Sequence, residues 1–460
     1  MASVHDIARN DNSNGATYGT ARHVPGHLST PLLQMLLAAG LLQLVYVTTF
    51  TWRFQWPRLL MHVPYAFQWS DRLVCMMGLG VAFTLYVAAH THARQAPAPD
   101  SLPLVIGAGL MFAATLSAMY PLTSNDIFAY IMRSHIFVDL GANPYTHAPV
   151  LFPTDTLLAG VDYPQEPMPH GPLWVVIGSV ATIVGHQHLL PTFAAFKFLG
   201  FASYALNVVL LVPVLQRLCP ERLVSGVLQY AWNPLVLFEL VGNGHNDGWM
   251  TAALLASVLA LSYRRYTLGA VFLTLGILVK FVVLLAAPVF AIWLWRQPAP
   301  RLVRLRRVST AVVTGVVLTI ALYAPFWQGL QTLTVVHRTQ YMTGSPLSVI
   351  IFFLEKWVPE AHAKPLAIGC AFVLFGAIVV YLCHRVRSPL ASAVTSIHRA
   401  IGAYLVIACL WLQPWYITWL VPLTPLDAST RSFRWMVTLC VIVETTTMVG
   451  YGLLSRWGMS

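Results

Sequence analysis

Two stretches hold the residues best suited to chemistry. Ser124-Asn125-Asp126 opens the run Ile127-Phe128-Ala129-Tyr130. Gly242-Asn243-Gly244-His245-Asn246-Asp247-Gly248 closes one apolar run and opens the next. A carboxylate and an imidazole are the groups that accept and pass on protons. Polar groups set between apolar runs of membrane length are costly and mark function. Glycines let a ligand approach the backbone, and a helix start near Asp247 offers free N–H groups to an anion. Plainer explanations stand beside these. Asn-Asp-Gly is ordinary turn chemistry, and Asp126 is an acid favoured in a first helical turn, with Ser124 or Asn125 as its cap.

Other residues extend the set. Lys280 is one of four lysines and interrupts the apolar run 268–295. It either snorkels or pairs with a phosphate. Arg133 and His135 follow Asp126 on a helix whose apolar face suits an interface. Asn143-Pro144-Tyr145 and Pro169-His170-Gly171-Pro172-Leu173-Trp174 are rigid turns, the second presenting a histidine. Gln413-Pro414-Trp415-Tyr416 joins two short apolar stretches, and His337, Arg338 and Tyr341 stand in a loop after Trp327. Asp139, Asp155, Asp162 and Glu166 fall in more polar loop sequence and are expected to be exposed.

The elements that must position these residues are membrane helices. Of 460 residues, 57% are hydrophobic and 9% charged, against roughly 25% charged in soluble domains. Such a chain cannot cover a water-facing surface, so its apolar surface faces a lipid bilayer. The net charge of +11 does not indicate nucleic acid, because the basic residues form no stripe and sit in short loops. Six cysteines are scattered without a Cys-x-x-Cys pair, which argues against zinc and redox chemistry. Residues 1–30 read as a flexible cytosolic tail.

Apolar runs at 31–50, 73–89, 102–120, 192–215, 223–240, 249–263, 310–327, 365–383, 400–412 and 433–453 are candidate spans, a span requiring ~20 mostly apolar residues. The run 268–295 reads as two short helices broken near Lys280, and 415–426 is short. An all-α polytopic bundle of about 11 to 13 spans is expected. Residues 31–460 form one domain, with 31–100 as accessory helices. Arg296, Arg301, Arg304, Arg306 and Arg307 mark a cytoplasmic loop. The loop 121–172 holds five acids against one arginine and is expected outside. Those two assignments leave 171–185 as a short hairpin or re-entrant element.

One prominent acid among cations and imidazoles suits deprotonation of an acceptor hydroxyl and stabilisation of a departing phosphate. There is no nucleotide-binding glycine motif, so the energy would come from an activated lipid.

In Asn125-Asp126-Ile127-Phe128-Ala129-Tyr130, Asn143-Pro144-Tyr145, His170-Gly171-Pro172-Leu173-Trp174, Asn233-Pro234-Leu235, Gly244-His245-Asn246-Asp247, Lys280 with Pro288, and Pro414-Trp415-Tyr416, the chain resembles GT-C membrane glycosyltransferases. Within that class it resembles the bacterial polyprenol-phosphate-mannose-dependent α-1,6-mannosyltransferases. The resemblance runs over about residues 100–420. It implies Asp126 as base and 121–172 as a catalytic loop with interfacial helices. It also implies a polyprenyl-phosphate sugar donor, a glycan or glycolipid acceptor, inversion at the sugar, and a bacterial cytoplasmic membrane with the site facing outward. No cofactor or metal ligand is expected. His245, Lys280, Arg133 and Asn246 are expected at the donor phosphate, and Asp247, His170, Tyr145, Tyr130, Trp415 and Tyr416 at the substrates. His170 stands where many relatives have tyrosine, and Asn125 where some have a second acid. The rival readings are a proton-coupled secondary transporter with a broken helix around its substrate, and a lipid-linked sugar flippase.

Overall fold

The structure is a computed structural model describing residues 29–60, 67–96, 98–186, 188–333, 342, 344–427, 429 and 431–456. Most of the expected tail, and His337, Arg338 and Tyr341, lie outside the described residues. Within them the fold is helical, and the only β pairing is one isolated bridge, Gln55 to Met119.

The chain begins with α1 (Thr30–Val45), which a π-helical turn prolongs to Thr51, then the single turn α2 (Trp56–Leu59), α3 (Trp69–Ala93) and α4 (Ala98–Ser117). After α4 come α5 (Asp126–Val138), α6 (Pro172–Gly185), α7 (Leu189–Leu218), α8 (Leu223–Ala231) and α9 (Pro234–Val236). The middle of the chain forms α10 (Asp247–Ser262), α11 (Tyr266–Val279), α12 (Ala286–Trp295) and α13 (Arg301–Tyr323). The remainder is α14 (Pro346–Leu354), α15 (Glu360–Arg385), α16 (Leu390–Ala403), α17 (Pro414–Ile417) and α18 (Ser432–Arg456). Among the described residues, 8 helices are long and apolar enough to cross a membrane, and shorter apolar helices stand at 172–185, 247–262, 266–279 and 281–295. The protein is a polytopic all-α membrane bundle, as its composition requires.

The interruptions matter more than the spans. Lys280 has extended backbone (φ −150, ψ 125) between α11 and the 3-10 turn Phe281–Leu285, so the expected break is there. The run 223–240, expected as one helix, is divided. Pro234 has no N–H to continue α8, and the Asn233 side chain accepts from Leu235 N (3.0 Å) and Val236 N (3.1 Å) to start α9. A π-helical turn, Leu237–Gly242, then ends the segment and delivers the His245 turn. At 14 residues, α6 is about 21 Å long, short of the ~30 Å hydrocarbon core. Expected as a hairpin or re-entrant element, the segment is one short helix that packs on α7 after left-handed His186 (φ 47).

The amphipathic reading of α5 needs correction. The helix is covered on most sides, with Ile127, Phe128, Ile131, Met132 and Ile136 all buried. The loop after it folds back over it, held by side chains that hydropathy does not reveal. His135 lies between Asp139 (Nδ1–Oδ2 2.6 Å) and Asp155 (Nε2–Oδ2 3.0 Å). Arg133 is buried and donates to the carbonyls of Ala129, Tyr163 and Glu166.

Candidate active site

Asn243 joins the two chemically richest stretches. Its Oδ1 accepts from Leu122 N at 2.8 Å, and its Nδ2 donates to Thr123 Oγ1 at 2.6 Å and Glu239 Oε2 at 2.9 Å. The approach to Asp126 is thereby fixed to the turn before α10. Left-handed Gly244 (φ 81) makes that turn possible, since a side chain is disfavoured there. Lys197, on α7, donates to the carbonyls of Val241 and Gly242 and closes the end of the π-helical turn.

Asp126 begins α5. Its backbone N–H donates to Ser124 Oγ, and Tyr130 Oη donates to its Oδ2 at 3.3 Å. The Asn125 amide donates to Asp162 Oδ1 at 2.8 Å and does not cap the helix. His245 Nδ1 lies 3.4 Å from Asp126 Oδ2, and its Nε2 lies 3.1 Å from Glu239 Oε2. The imidazole is fully buried, whereas the Asp126 side chain keeps 31% exposure. Trp415 stacks on the imidazole with centroids 4.0 Å apart. Neither ring nitrogen completes a well-angled hydrogen bond, so the contacts act chiefly by charge.

Burial opposes ionisation of both groups, and their partners outweigh it. Asp126 is held well below the usual carboxylate range by the contact and charge of His245, helped by His170 and Lys280. His245 is raised from 6.5 to about 9 by Asp126 and Glu239. A raised folded value means that the imidazolium stabilises the fold fully below the unfolded value of 6.5, with that contribution lost as pH rises through about 9. The expected result is a thermal midpoint that falls between pH 7 and 10 in the wild type. His245→Gln should lack that component, and parallel curves for the two proteins would contradict the pairing.

Lys280 reaches the same region from the broken helix. Its Nζ donates to Asp247 Oδ1 at 2.6 Å and lies 4.9 Å from the Tyr416 ring centre and 5.3 Å from that of Trp419. Trp419 Nε1 also donates to Asp247 Oδ1. Asp247 is fully buried, while the Lys280 side chain is 13% exposed. The His170 turn meets this break directly: Gly171 N donates to Val279 O at 3.1 Å. A Cβ at Gly171 would collide with the Leu278 carbonyl, so glycine here allows His170 and Lys280 to share a wall.

One pocket gathers Asp126, Tyr130, Arg133, His170, Lys280, Trp415 and Tyr416. Four expected site residues stand outside its lining. His245 lies behind Asp126, and Asp247 lies behind Lys280. Tyr145 is buried and donates to His170 O at 2.7 Å. Asn246 is buried, with neither amide atom of its side chain hydrogen-bonded. The pocket also contains Asp162, Tyr163, Glu166 and Trp411, which sequence reasoning did not assign to the site. Glu166 is buried, contrary to the expected exposure, because the loop closes over α5. The cavity holds about 30 Å³, room for a water or so, so a hexose enters only if its walls part. Among the described residues no group of three or more His, Cys, Asp or Glu is disposed to hold a metal.

A family model described as alpha-(1->6)-mannopyranosyltransferase, N-terminal domain, matches residues 34–297, more than half of the 460-residue chain. The match includes Asp126, His170, His245 and Lys280, and ends before Trp415. An alpha-(1->6)-mannopyranosyltransferase A of Corynebacterium glutamicum is 25% identical over 186 residues, 40% of this chain and 36% of its own. The protein of that name from Mycobacterium tuberculosis is 26% identical over 192 residues, with the same shares. The aligned chain thus spans about a third of the length of these relatives.

Proposed function

The chain belongs to the alpha-(1->6)-mannopyranosyltransferase family, and on that premise we propose that it transfers mannose from a polyprenyl-phosphate carrier to a glycan or glycolipid acceptor, with inversion, on the non-cytoplasmic face. The observation carrying this reading is that Asp126 and Lys280 share one pocket walled by Trp411, Trp415 and Tyr416. An ionised carboxylate and an ammonium are the two charges that an inverting displacement by a hydroxyl uses.

The acceptor oxygen bonds to the anomeric carbon as the bond from that carbon to the phosphate oxygen breaks. The hydroxyl proton passes to Asp126. The electron pair leaves with the polyprenyl phosphate, and Lys280 stabilises the added charge. Aromatic faces carry negative quadrupole charge and suit the polarised C–H face of a sugar. An apolar groove of about 370 Å³ is lined by residues of α10 to α13 and by Leu284 of the turn after Lys280. Leu284 is four residues from Lys280, so an isoprenoid chain in the groove would bring its phosphate to the pocket.

Stereochemistry tests the displacement. The anomeric configuration of the product, read by NMR, is expected to be opposite to that of the donor; retention would rule out a single displacement. Sidedness is tested by single cysteines at positions 155 and 303 in a background lacking the native thiols, of which Cys370 is exposed. An impermeant reagent on intact cells should label position 155 and spare 303. Labelling of both from outside would contradict the opposed placement, and labelling of 303 alone would reverse it.

A further inference from the structure

Glu239 has no part in the displacement described above, yet it is fully buried in the π-helical turn that leads into the His245 turn. A buried carboxylate is costly unless paired, so its partners indicate its purpose. Its Oε2 accepts from Asn243 Nδ2 at 2.9 Å and stands 3.1 Å from His245 Nε2, and its Oε1 accepts from Thr123 Oγ1 at 3.4 Å. The opposite ring nitrogen of His245 faces Asp126 at 3.4 Å. One imidazole is thus held between two carboxylates. The outer one reaches the pocket, and the inner one is sealed from it. Stacked Trp415 keeps the ring from turning away.

We propose that Glu239 is a positioning residue for transfer, keeping His245 cationic and facing Asp126 so that Asp126 stays ionised and aimed into the pocket. The proposal rests on Asp126 being the base. The charge logic is simple. An imidazole between two carboxylates holds its proton more tightly than one beside a single carboxylate. A cationic His245 in turn disfavours protonation of Asp126. Without Glu239 the ring becomes neutral at lower pH, and its orientation is no longer fixed from behind. Other charged groups surround the chain of contacts. Lys280 and His170 act on Asp126 from the pocket side, and Asp247 is paired with Lys280. Lys197 lies on the carbonyls of Val241 and Gly242. Glu444, on α18, is buried and interacts with Glu239.

The test is the pH–rate profile of purified full-length protein with polyprenyl-phosphate mannose as donor. Glu239→Gln is expected to lower kcat about 10- to 100-fold, to leave the donor KM within about twofold, and to move the alkaline limb down from near 9 by about one unit or more. Glu239→Asp should recover the limb in part, because it restores the charge at greater distance. A Glu239→Gln enzyme with normal kcat and an unmoved limb would overturn the proposal. So would a loss of kcat with an unmoved limb, which is the mark of a purely structural role. If Glu239→Gln does not fold, the Glu239→Asp profile decides alone: a wild-type limb counts against the proposal, and a limb lowered in pH supports it. Failure of the underlying reading is a separate result, since Asp126→Asn would then retain turnover whatever Glu239→Gln does.

Discussion

Asp126→Asn is expected to lower kcat about 100- to 10,000-fold, while the protein still inserts in the membrane and still binds the lipid donor. The substitution preserves size and removes basicity. Among the described acids Asp126 alone meets three conditions at once: its side chain is 31% exposed, it lines the pocket, and a cationic imidazole backs it. The rivals each fail one. Asp247 is fully buried, its Oδ1 taken by Lys280 and Trp419. Glu166 is buried. Asp162 lines the pocket and receives the Asn125 amide, but no cation is paired with it among the described residues. Measured turnover separates them. Near-normal kcat in Asp126→Asn, with loss in Asp162→Asn or Asp247→Asn, would move the base and reverse the placement of the acceptor.

Lys280→Ala is the second large effect, and it has two parts. Donor use should fall about 10- to 100-fold in kcat/KM, or about 1.4 to 2.8 kcal/mol, because a charge-assisted contact to the departing phosphate is lost. Stability should fall as well, by about 3 to 5 kcal/mol, because Asp247 would be left fully buried without its cation. The parts separate in a double variant. Asp247→Asn with Lys280→Met removes the stranded charge and should recover thermal stability while donor use stays poor. If Lys280→Ala leaves donor kinetics within about twofold, less than about 0.5 kcal/mol, the phosphate contact is wrongly assigned.

The sequence revealed the elements and most of the reactive residues, but few of their pairings. Lys280 was conspicuous because a lysine within an apolar run is expensive, and the same expense explains why the helix breaks there. Asp126, His170, Trp415 and Tyr416 stood out for similar reasons and share the pocket. What could not be read was which group neutralises which. Lys280 and Asp247 are 33 residues apart and joined at 2.6 Å. His245 and Asp126 are separated by more than a hundred residues, and the Asn243 bridge to Leu122 and Thr123, with the Thr123 contact to Glu239, brings them together. Arg133 and His135 read equally as headgroup contacts, but Arg133 holds carbonyls at the pocket wall and His135 is flanked by Asp139 and Asp155. Hydropathy fixes how deep a segment can lie. It carries no information on the long-range polar contacts that convert a buried charge from a penalty into a site.

Transfer by the purified protein in sealed liposomes, with no ion gradient, tests the central claim most directly. The substrates are polyprenyl-phosphate mannose labelled in the sugar and a mannan or glycolipid acceptor. The expected result is label in the acceptor, with one polyprenyl phosphate released per mannose transferred, and no label in the acceptor with Asp126→Asn. Movement of the labelled lipid or sugar across the bilayer without any new glycosidic bond would contradict the account and identify a carrier.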